Sequence, residues 1–300
     1  MTPEPTANAV SDLAQQHGLA LDPATIRFNE AGLDYRVAFA TSAETGEDWV
    51  LRIPRRADVS AKIVEEKRIL DFVGPRLPIA VPDWRISSPN LIAYPLLPGK
   101  PGLTLDVEGQ PVWHYDVASP EYAQSLAEVI VSLHRLDTTE AAEAGIPFET
   151  PEQVRQRWSG DLDRVLDEFD VESDLVTVWR TWIDDDDLWP ERTVLTHGEL
   201  YPAHLLLDED SRIVSALDWT TARVSDPALD FMYQFMIAPP EQFAATVDAY
   251  RDLTGHSEPN LAGRCSELIA AGPLNYALFA LESGEPEHRA AAEAQLRPNG

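Results

Sequence analysis

Strand-like apolar runs occur in only two parts of this chain: before residue 98, and in a stretch at residues 195–219. Everything else carries helical spacing, so the fold must combine a small sheet with a larger helical body. The first part reads "IRFNEAGLDYRVAFAT" at residues 26–41, a strand, a turn holding Gly32, and a second strand. "DWVLRIP" follows at residues 48–54 as a third strand, and "NLIAYPLLPG" at residues 90–99 as a buried strand entering a proline-broken connection. Between them, "DVSAKIVEEKRILDFVG" is a helix: Asp58 caps it, Val59, Ile63, Ile69, Leu70 and Val73 share a face, and Gly74-Pro75 ends it. A short helix ending near Gly18 precedes the sheet. The order describes an antiparallel sheet with one packed helix, and the class is α+β.

Beyond residue 98 the spacing turns helical. Ser119 caps a helix with Pro120 in its first turn, where a missing N–H costs nothing. Tyr122, Leu126, Val129, Ile130 and Leu133 form its stripe. Thr150 and Gln153 stand at capping-box spacing ahead of Val154, Trp158, Leu162, Val165 and Phe169. Two more helices are expected at residues 243–253 and 261–281, the second bent at Pro273.

The chain of 300 residues is long enough for two packed bodies, and 44% hydrophobic content is ordinary for a globular protein. Lysine and arginine total 23 against 51 aspartates and glutamates, a net charge of −28. Such a field repels nucleic acid, so no nucleic-acid partner is expected, and it draws cationic ligands weakly at long range. Most of this charge is solvated surface, the "DDDD" at residues 184–187 included. The single cysteine, Cys265, excludes an intrachain disulfide framework and a cysteine zinc site. No apolar run approaches the roughly 20 residues that span a bilayer, and the N-terminal "MTPEPTANAV" lacks the regions of a secretory signal. A cytoplasmic monomer without membrane attachment is expected.

The chemistry concentrates in "LTHGELYPAHLLLDEDSRIVSALDW". Glu199 sits on a loop between two apolar strand-like runs, His204 follows five residues later, and Asp218 ends the next run. Asp226 and Asp230 lie in the loop after it. Phosphoryl transfer needs a carboxylate to orient the attacking hydroxyl and accept its proton, and ligands to hold magnesium against the phosphates. In protein kinases an acid, a metal ligand five residues on and a second metal-binding acid recur at this spacing. A kinase also needs a cation on its third strand and an acid on the next helix. The only cation in "DWVLRIP" is Arg52, whose fork can contact phosphates bidentately, and Glu66 stands mid-helix where it can pair with Arg52. Taken singly, these two read as a surface salt bridge; taken with the loop trio, they read as kinase parts.

The blocks "GLDYRVAFAT", "WVLRIPRRADVSAK", "AVPDWRI", "LIAYPLL", "HGELYPAHLLLD", "LDWTTARVSDPALD" and "NYALFALESG" together resemble the macrolide 2′-phosphotransferases, in order, from about residue 8 to 295. The resemblance implies a bilobal, protein-kinase-like (aminoglycoside phosphotransferase-like) fold. Its nucleotide-binding lobe would be residues 1–97, and its mainly helical catalytic and substrate-binding lobe residues 98–300. It further implies transfer of the γ-phosphate of a purine nucleotide, GTP or ATP with GTP preferred, to the 2′-hydroxyl of a macrolide amino sugar, inactivating the antibiotic. Carried onto this chain, Glu199 takes the catalytic-base position, and His204 and Asp218 the Mg2+ positions. Arg52 becomes the phosphate-gripping cation and Glu66 its partner. The loop around Gly32 would cover the phosphates, and the backbone of Tyr94, Pro95 and Leu96 would meet the purine. Magnesium prefers oxygen ligands, but the resembled family also has histidine at this place. A macrolide is large and mostly apolar with one protonated amine, so its site should be a wide apolar cleft with a few acids. Tyr201, Met232, Phe235, Met236, Tyr276 and Phe279 are candidates, each equally readable as helix–helix core. Asp230 either faces the amine or braces the loop.

The family pattern departs at Glu199, where aspartate is usual. The extra methylene moves the carboxylate by about 1 Å, a misplacement that can cost on the order of 100-fold in rate. The loop is adjusted to it, or activity is weak, or nucleotide binds without transfer. Another hydroxylated substrate also remains open. With every other kinase element in place, a working or weakly working enzyme is the expectation.

Overall fold

The structure, a computed structural model, describes residues 6–29, 35–55 and 59–297. Gly32, the Asp58 cap and the Val59 side chain lie outside the described residues. The chain divides into two compact units. One takes in the sequence up to His114 with 144–146 and 202–220; the other takes in 115–143, 147–201 and everything from Thr221 onward.

In the first unit, helix α1 (Ala7–Gln16) starts at Thr6, whose hydroxyl accepts from the Ala9 amide. Strands β1 (Arg27–Asn29), β2 (Tyr35–Thr41) and β3 (Asp48–Pro54) precede helix α2 (Val59–Val73). Strands β4 (Ile86–Ser88) and β5 (Leu91–Pro95) complete an antiparallel sheet of order β1-β2-β3-β5-β4. Ala38, Leu51 and Ala93 lie in register across β2, β3 and β5, and they form one core with Val10 and Ala14 of α1. Strand alternation turns Arg52, one residue on, to the opposite face in the row Val37–Arg52–Ile92. Helix α2 ends at Val73, before Gly74-Pro75.

The stretch after Glu199 folds as its apolar pattern predicts. Strand Leu205–Leu207 is buried along its length and pairs antiparallel with Ile213–Ala216 on one side and Lys100–Pro101 on the other. Asp208 Oδ1 accepts from the amides of Asp210 and Arg212, each at 2.9 Å, which closes the turn between the first two. Gly99 has φ +96°, and a Cβ there would lie 2.7 Å from Val214 Cγ2 and 2.9 Å from Leu206 Cβ.

In the second unit, strand Val194–Thr196 pairs with Arg223–Ser225. Helix Pro120–His134 packs against both Val194–Thr196 and helix Pro240–Thr254. Ser119 caps the first of these helices, and Thr150 with Gln153 forms the full capping box of helix Pro151–Glu168. The single bent helix expected at residues 261–281 is instead two helices, Leu261–Ala270 and Gly272–Ser283. Pro273 lacks an N–H and its ring crowds the carbonyl four residues earlier, so the ladder stops and Pro273 sits in a new first turn. The aspartate run is a boundary: helix Ser173–Asp184 ends at its first member, and Asp185 caps the tight turn that follows. Among the described residues, no helix is long and apolar enough to cross a membrane.

Gly99→Ala meets both a left-handed backbone and two occupied contacts, so it should lower stability by about 1–3 kcal/mol. A denaturant midpoint indistinguishable from the parent protein would remove the steric account.

Candidate active site

Within the first unit, Arg52 and Glu66 come together because each interrupts an apolar pattern. Ile63, Leu70 and Val73 of α2 are buried, and Glu66 falls on the same helical face, itself only 1% exposed. Arg52 Nη1 donates to Glu66 Oε1 at 2.9 Å. The guanidinium also lies over the Tyr35 ring, 4.1 Å from its centroid. Burial opposes the charge on Arg52, but the carboxylate of Glu66, with smaller contributions from Tyr94, Tyr35 and Asp218, outweighs it and raises the pKa. Arg52 is therefore a permanent buried cation.

Asp218 follows the strand Ile213–Ala216 and has φ +59°, a left-handed conformation uncommon outside glycine. Two neighbours hold it there: the Leu217 amide donates to the His204 carbonyl at 2.8 Å, and Trp219 is fully buried with its indole N–H on the Ala216 carbonyl. Thr220 Oγ1 donates to Asp218 Oδ1 at 2.6 Å. Asp218 Oδ2 stands 3.8 Å from His204 Nε2, and both side chains are partly exposed. Two ligand atoms at that separation can both reach an ion at bond lengths of about 2.0–2.1 Å. One carboxylate oxygen with one imidazole nitrogen is a donor pair for a divalent cation.

Tyr94 and Pro95 lie at the end of β5, with Tyr94 opposite Val50. The Leu96 amide already donates to the Asp48 carbonyl at 2.7 Å, and Pro95 has no amide hydrogen. A purine meeting these two residues would find carbonyl acceptors, not donors.

Glu199 belongs to the second unit, on the loop after strand Val194–Thr196. Asp230 fixes the backbone of that loop: its Oδ1 accepts from the Gly198 amide at 2.8 Å and its Oδ2 from the His197 amide at 3.2 Å. Thr221 Oγ1 donates to the His197 carbonyl at 2.9 Å. Gly198 has φ +83°, and a Cβ there would approach the Thr221 carbonyl to 3.0 Å. The Glu199 amide donates to His197 Nδ1, and Tyr233 Oη donates to Glu199 Oε1 at 3.4 Å. Burial, then the charge of Glu199, raises the Tyr233 pKa, which keeps this phenol protonated as a donor.

Glu199 and Tyr233 line a cavity of about 620 Å³ within this unit. Met232, Met236, Tyr276 and Phe279 line it too, whereas Tyr201, Phe235 and Asp230 do not. Tyr201 packs on the Tyr233 ring, and Phe235 packs edge-on against Phe243. Of the two readings of Asp230, the geometry is that of the brace: it is buried beneath the loop, 1% exposed. Sequence reasoning missed Tyr233, Arg157 and Trp158 as cavity residues. Tyr233 stands one residue after Met232, but nothing local marks its hydroxyl as a partner for Glu199.

Residues 25–264 match the phosphotransferase enzyme family. YcbJ, an uncharacterized protein of Bacillus subtilis (strain 168), is 37% identical over 279 residues, 92% of this chain and 91% of its own. The crystal structure of the macrolide 2′-phosphotransferase MphH from Brachybacterium faecium, as apoenzyme, matches with a TM-score of 0.90 at 50% identity, over 98% of both chains. A macrolide 2′-phosphotransferase type I matches with a TM-score of 0.89 at 41% identity, over 99% of both. The fold is thus the kinase-like, aminoglycoside phosphotransferase-like fold expected from the sequence.

Glu66→Ala would leave Arg52 buried without its counter-charge. Loss of one partner of a buried pair costs about 3–5 kcal/mol, and the rings around Arg52 place this case at the lower end. Equilibrium unfolding measures it; a loss below about 1 kcal/mol would show that the rings alone sustain the cation.

Proposed function

The chain belongs to the phosphotransferase enzyme family, and from that premise we propose that it transfers the γ-phosphate of GTP or ATP to the 2′-hydroxyl of a macrolide amino sugar, inactivating the antibiotic. One observation carries the substrate side of this reading: the Glu199 carboxylate lines a cavity whose other walls include Met232, Met236, Tyr276 and Phe279. An apolar ring bearing one protonated amine suits such walls, since the thioethers and aromatic rings take the ring and the carboxylate favours the cation. The similarity to two macrolide 2′-phosphotransferases supports the same reading.

In the proposed step the sugar oxygen attacks the γ-phosphorus. The bond from that phosphorus to the bridging oxygen breaks, nucleoside diphosphate leaves, and the hydroxyl proton passes to Glu199. Tyr233 donates to the same carboxylate, limiting the extra freedom that glutamate brings over aspartate. Arg52, held by Glu66, binds phosphate oxygens, and the backbone of Tyr94, Pro95 and Leu96 meets the purine. His204 and Asp218 hold magnesium, which when bound offsets the charge of the phosphates. Of the remaining candidates, Met232, Met236, Tyr276 and Phe279 contact the macrolide, Tyr201 and Phe235 support the walls, and Asp230 braces the loop. Residues 1–97 then serve the nucleotide and 98–300 the chemistry and acceptor. We further propose that the protein works as a cytoplasmic monomer without nucleic-acid or membrane partners.

Incubation with magnesium, GTP or ATP and a panel of macrolides should give products heavier by one phosphate. Nucleotide binding with no mass gain on any hydroxylated acceptor would identify a silent binding protein instead. Glu199→Ala should lower turnover by about 100-fold or more, while Glu199→Asp preserves or raises it. Full activity in the alanine variant would end the base assignment. Asp218→Ala should abolish magnesium-dependent turnover, and unchanged magnesium titration curves would refute its role as a ligand.

A further inference from the structure

Strand Arg223–Ser225 sets Arg223 and Ser225 on one face and Val224 on the other. Two acids and a second arginine stand near Arg223. Arg157 Nε donates to Glu149 Oε1 at 2.5 Å, and its Nη1 donates to Asp161 Oδ2 at 3.3 Å. Ser225 Oγ donates to the other Glu149 oxygen at 2.7 Å. Arg157 and Ser225 thus engage both acids, and Arg223 keeps a single weak bond, from its Nε to the Thr221 carbonyl at 3.3 Å. Its Nη1 and Nη2 have no hydrogen-bond or ion-pair partner among the described residues. Both arginines line the same cavity as Glu199.

The surroundings of Arg223 oppose its charge. Burial, then the like charge of Arg157, lowers its pKa, and Glu149 and Asp161 offset only part of this. An arginine stays protonated all the same, so the folded protein carries a cation that it does not stabilise. Arg157, held by two carboxylates, has the arrangement of a structural ion pair. Arg223 does not. A cation kept on a cavity wall against its own environment, with donors to spare, is arranged for a ligand.

We propose that Arg223 is a specificity-determining residue of this cavity, donating hydrogen bonds to a neutral oxygen of the acceptor, a lactone or ketone carbonyl or a ring hydroxyl. This rests on the reading of the cavity as a macrolide site. A neutral oxygen is favoured over an anion by the local balance of charge. Arg157 and Arg223 stand beside two carboxylates, so the wall sums to zero, and Glu199 on the same cavity repels a second negative group. A macrolide carries the matching set: a protonated amine suited to Glu199 and ring oxygens suited to Arg223. A substrate lacking the oxygen would leave the guanidinium desolvated and unpaired, which is how a polar wall rejects an otherwise similar molecule.

The test uses Arg223→Met, which keeps the length of the stem and removes every donor. Three readouts are taken on the whole protein: macrolide affinity by calorimetry, steady-state kinetics with a macrolide and GTP, and the denaturant midpoint without ligand. Kd and KM for the macrolide should rise about 10- to 100-fold while kcat stays within about threefold, since a binding contact is lost and the base is untouched. The midpoint should equal or exceed that of the parent, because an opposed cation has gone; Arg157→Met, which strands two carboxylates, should lower it. Across macrolides that differ in their ring carbonyls and hydroxyls, the spread of Kd should narrow in Arg223→Met. Unchanged Kd in Arg223→Met, an unchanged spread, or a midpoint that falls as far as in Arg157→Met would overturn the proposal. Acetate that competes with the macrolide in the parent but not in Arg223→Met would make this an anion site and overturn the neutral acceptor. The two readings fail differently. A parent that neither binds nor phosphorylates any macrolide ends the macrolide reading and this proposal with it, whereas a parent that binds macrolides beside an equally tight Arg223→Met ends this proposal alone.

Discussion

Asp230 offers two carboxylate oxygens to two consecutive backbone amides, His197 and Gly198, from a fully buried position. The same loop, which follows a strand of three residues, is tied further by Thr221 Oγ1 donating to the His197 carbonyl. With those amides fixed, Gly198 can take a left-handed conformation close to the Thr221 carbonyl, and the next residue, Glu199, emerges with its carboxylate on the cavity. The placement of the proposed base therefore rests on a buried residue that does not line the cavity. This is the usual division of labour in phosphoryl transfer, where placement and electrostatics supply most of the catalysis.

The glutamate at position 199 looked from the sequence like a misplacement of about 1 Å. The structure supplies a local answer in Tyr233, a protonated phenol whose hydroxyl meets Glu199 Oε1. A longer side chain has one more torsion to restrain, and a donor on the cavity wall restrains it. Arg52 and Glu66 follow the same logic in the first unit. A cation stacked on Tyr35 and bonded to a buried glutamate has few rotamers left, so it presents its charge in one place.

Much of this was legible along the chain. Alternation placed Arg52 on the face opposite Leu51, and helical spacing put Glu66 among Ile63, Leu70 and Val73. Ser119, Thr150 and Gln153 announced their helices because capping is set by a few neighbouring residues. Pro273 announced a disturbance but not its size. Whether a proline bends a helix or ends it depends on what the freed carbonyls meet, and here Ala271 closes one helix and opens the next. The cavity walls were half legible. Met232, Met236, Tyr276 and Phe279 line the cavity, but Phe235, with the same apolar character, turned to Phe243.

By itself, then, the sequence determined the order of elements and the identity of the charged residues that interrupt them. Those features depend on spacings of a few residues, which backbone geometry makes periodic. Only the tertiary structure decided that Asp230 holds the His197 and Gly198 amides and that Tyr233 reaches Glu199. Gly198 and Asp230 are 32 positions apart, and Tyr233 and Glu199 are 34 apart. No periodicity links residues at such distances; helix packing brings them together, and burial then requires their polar atoms to find one another.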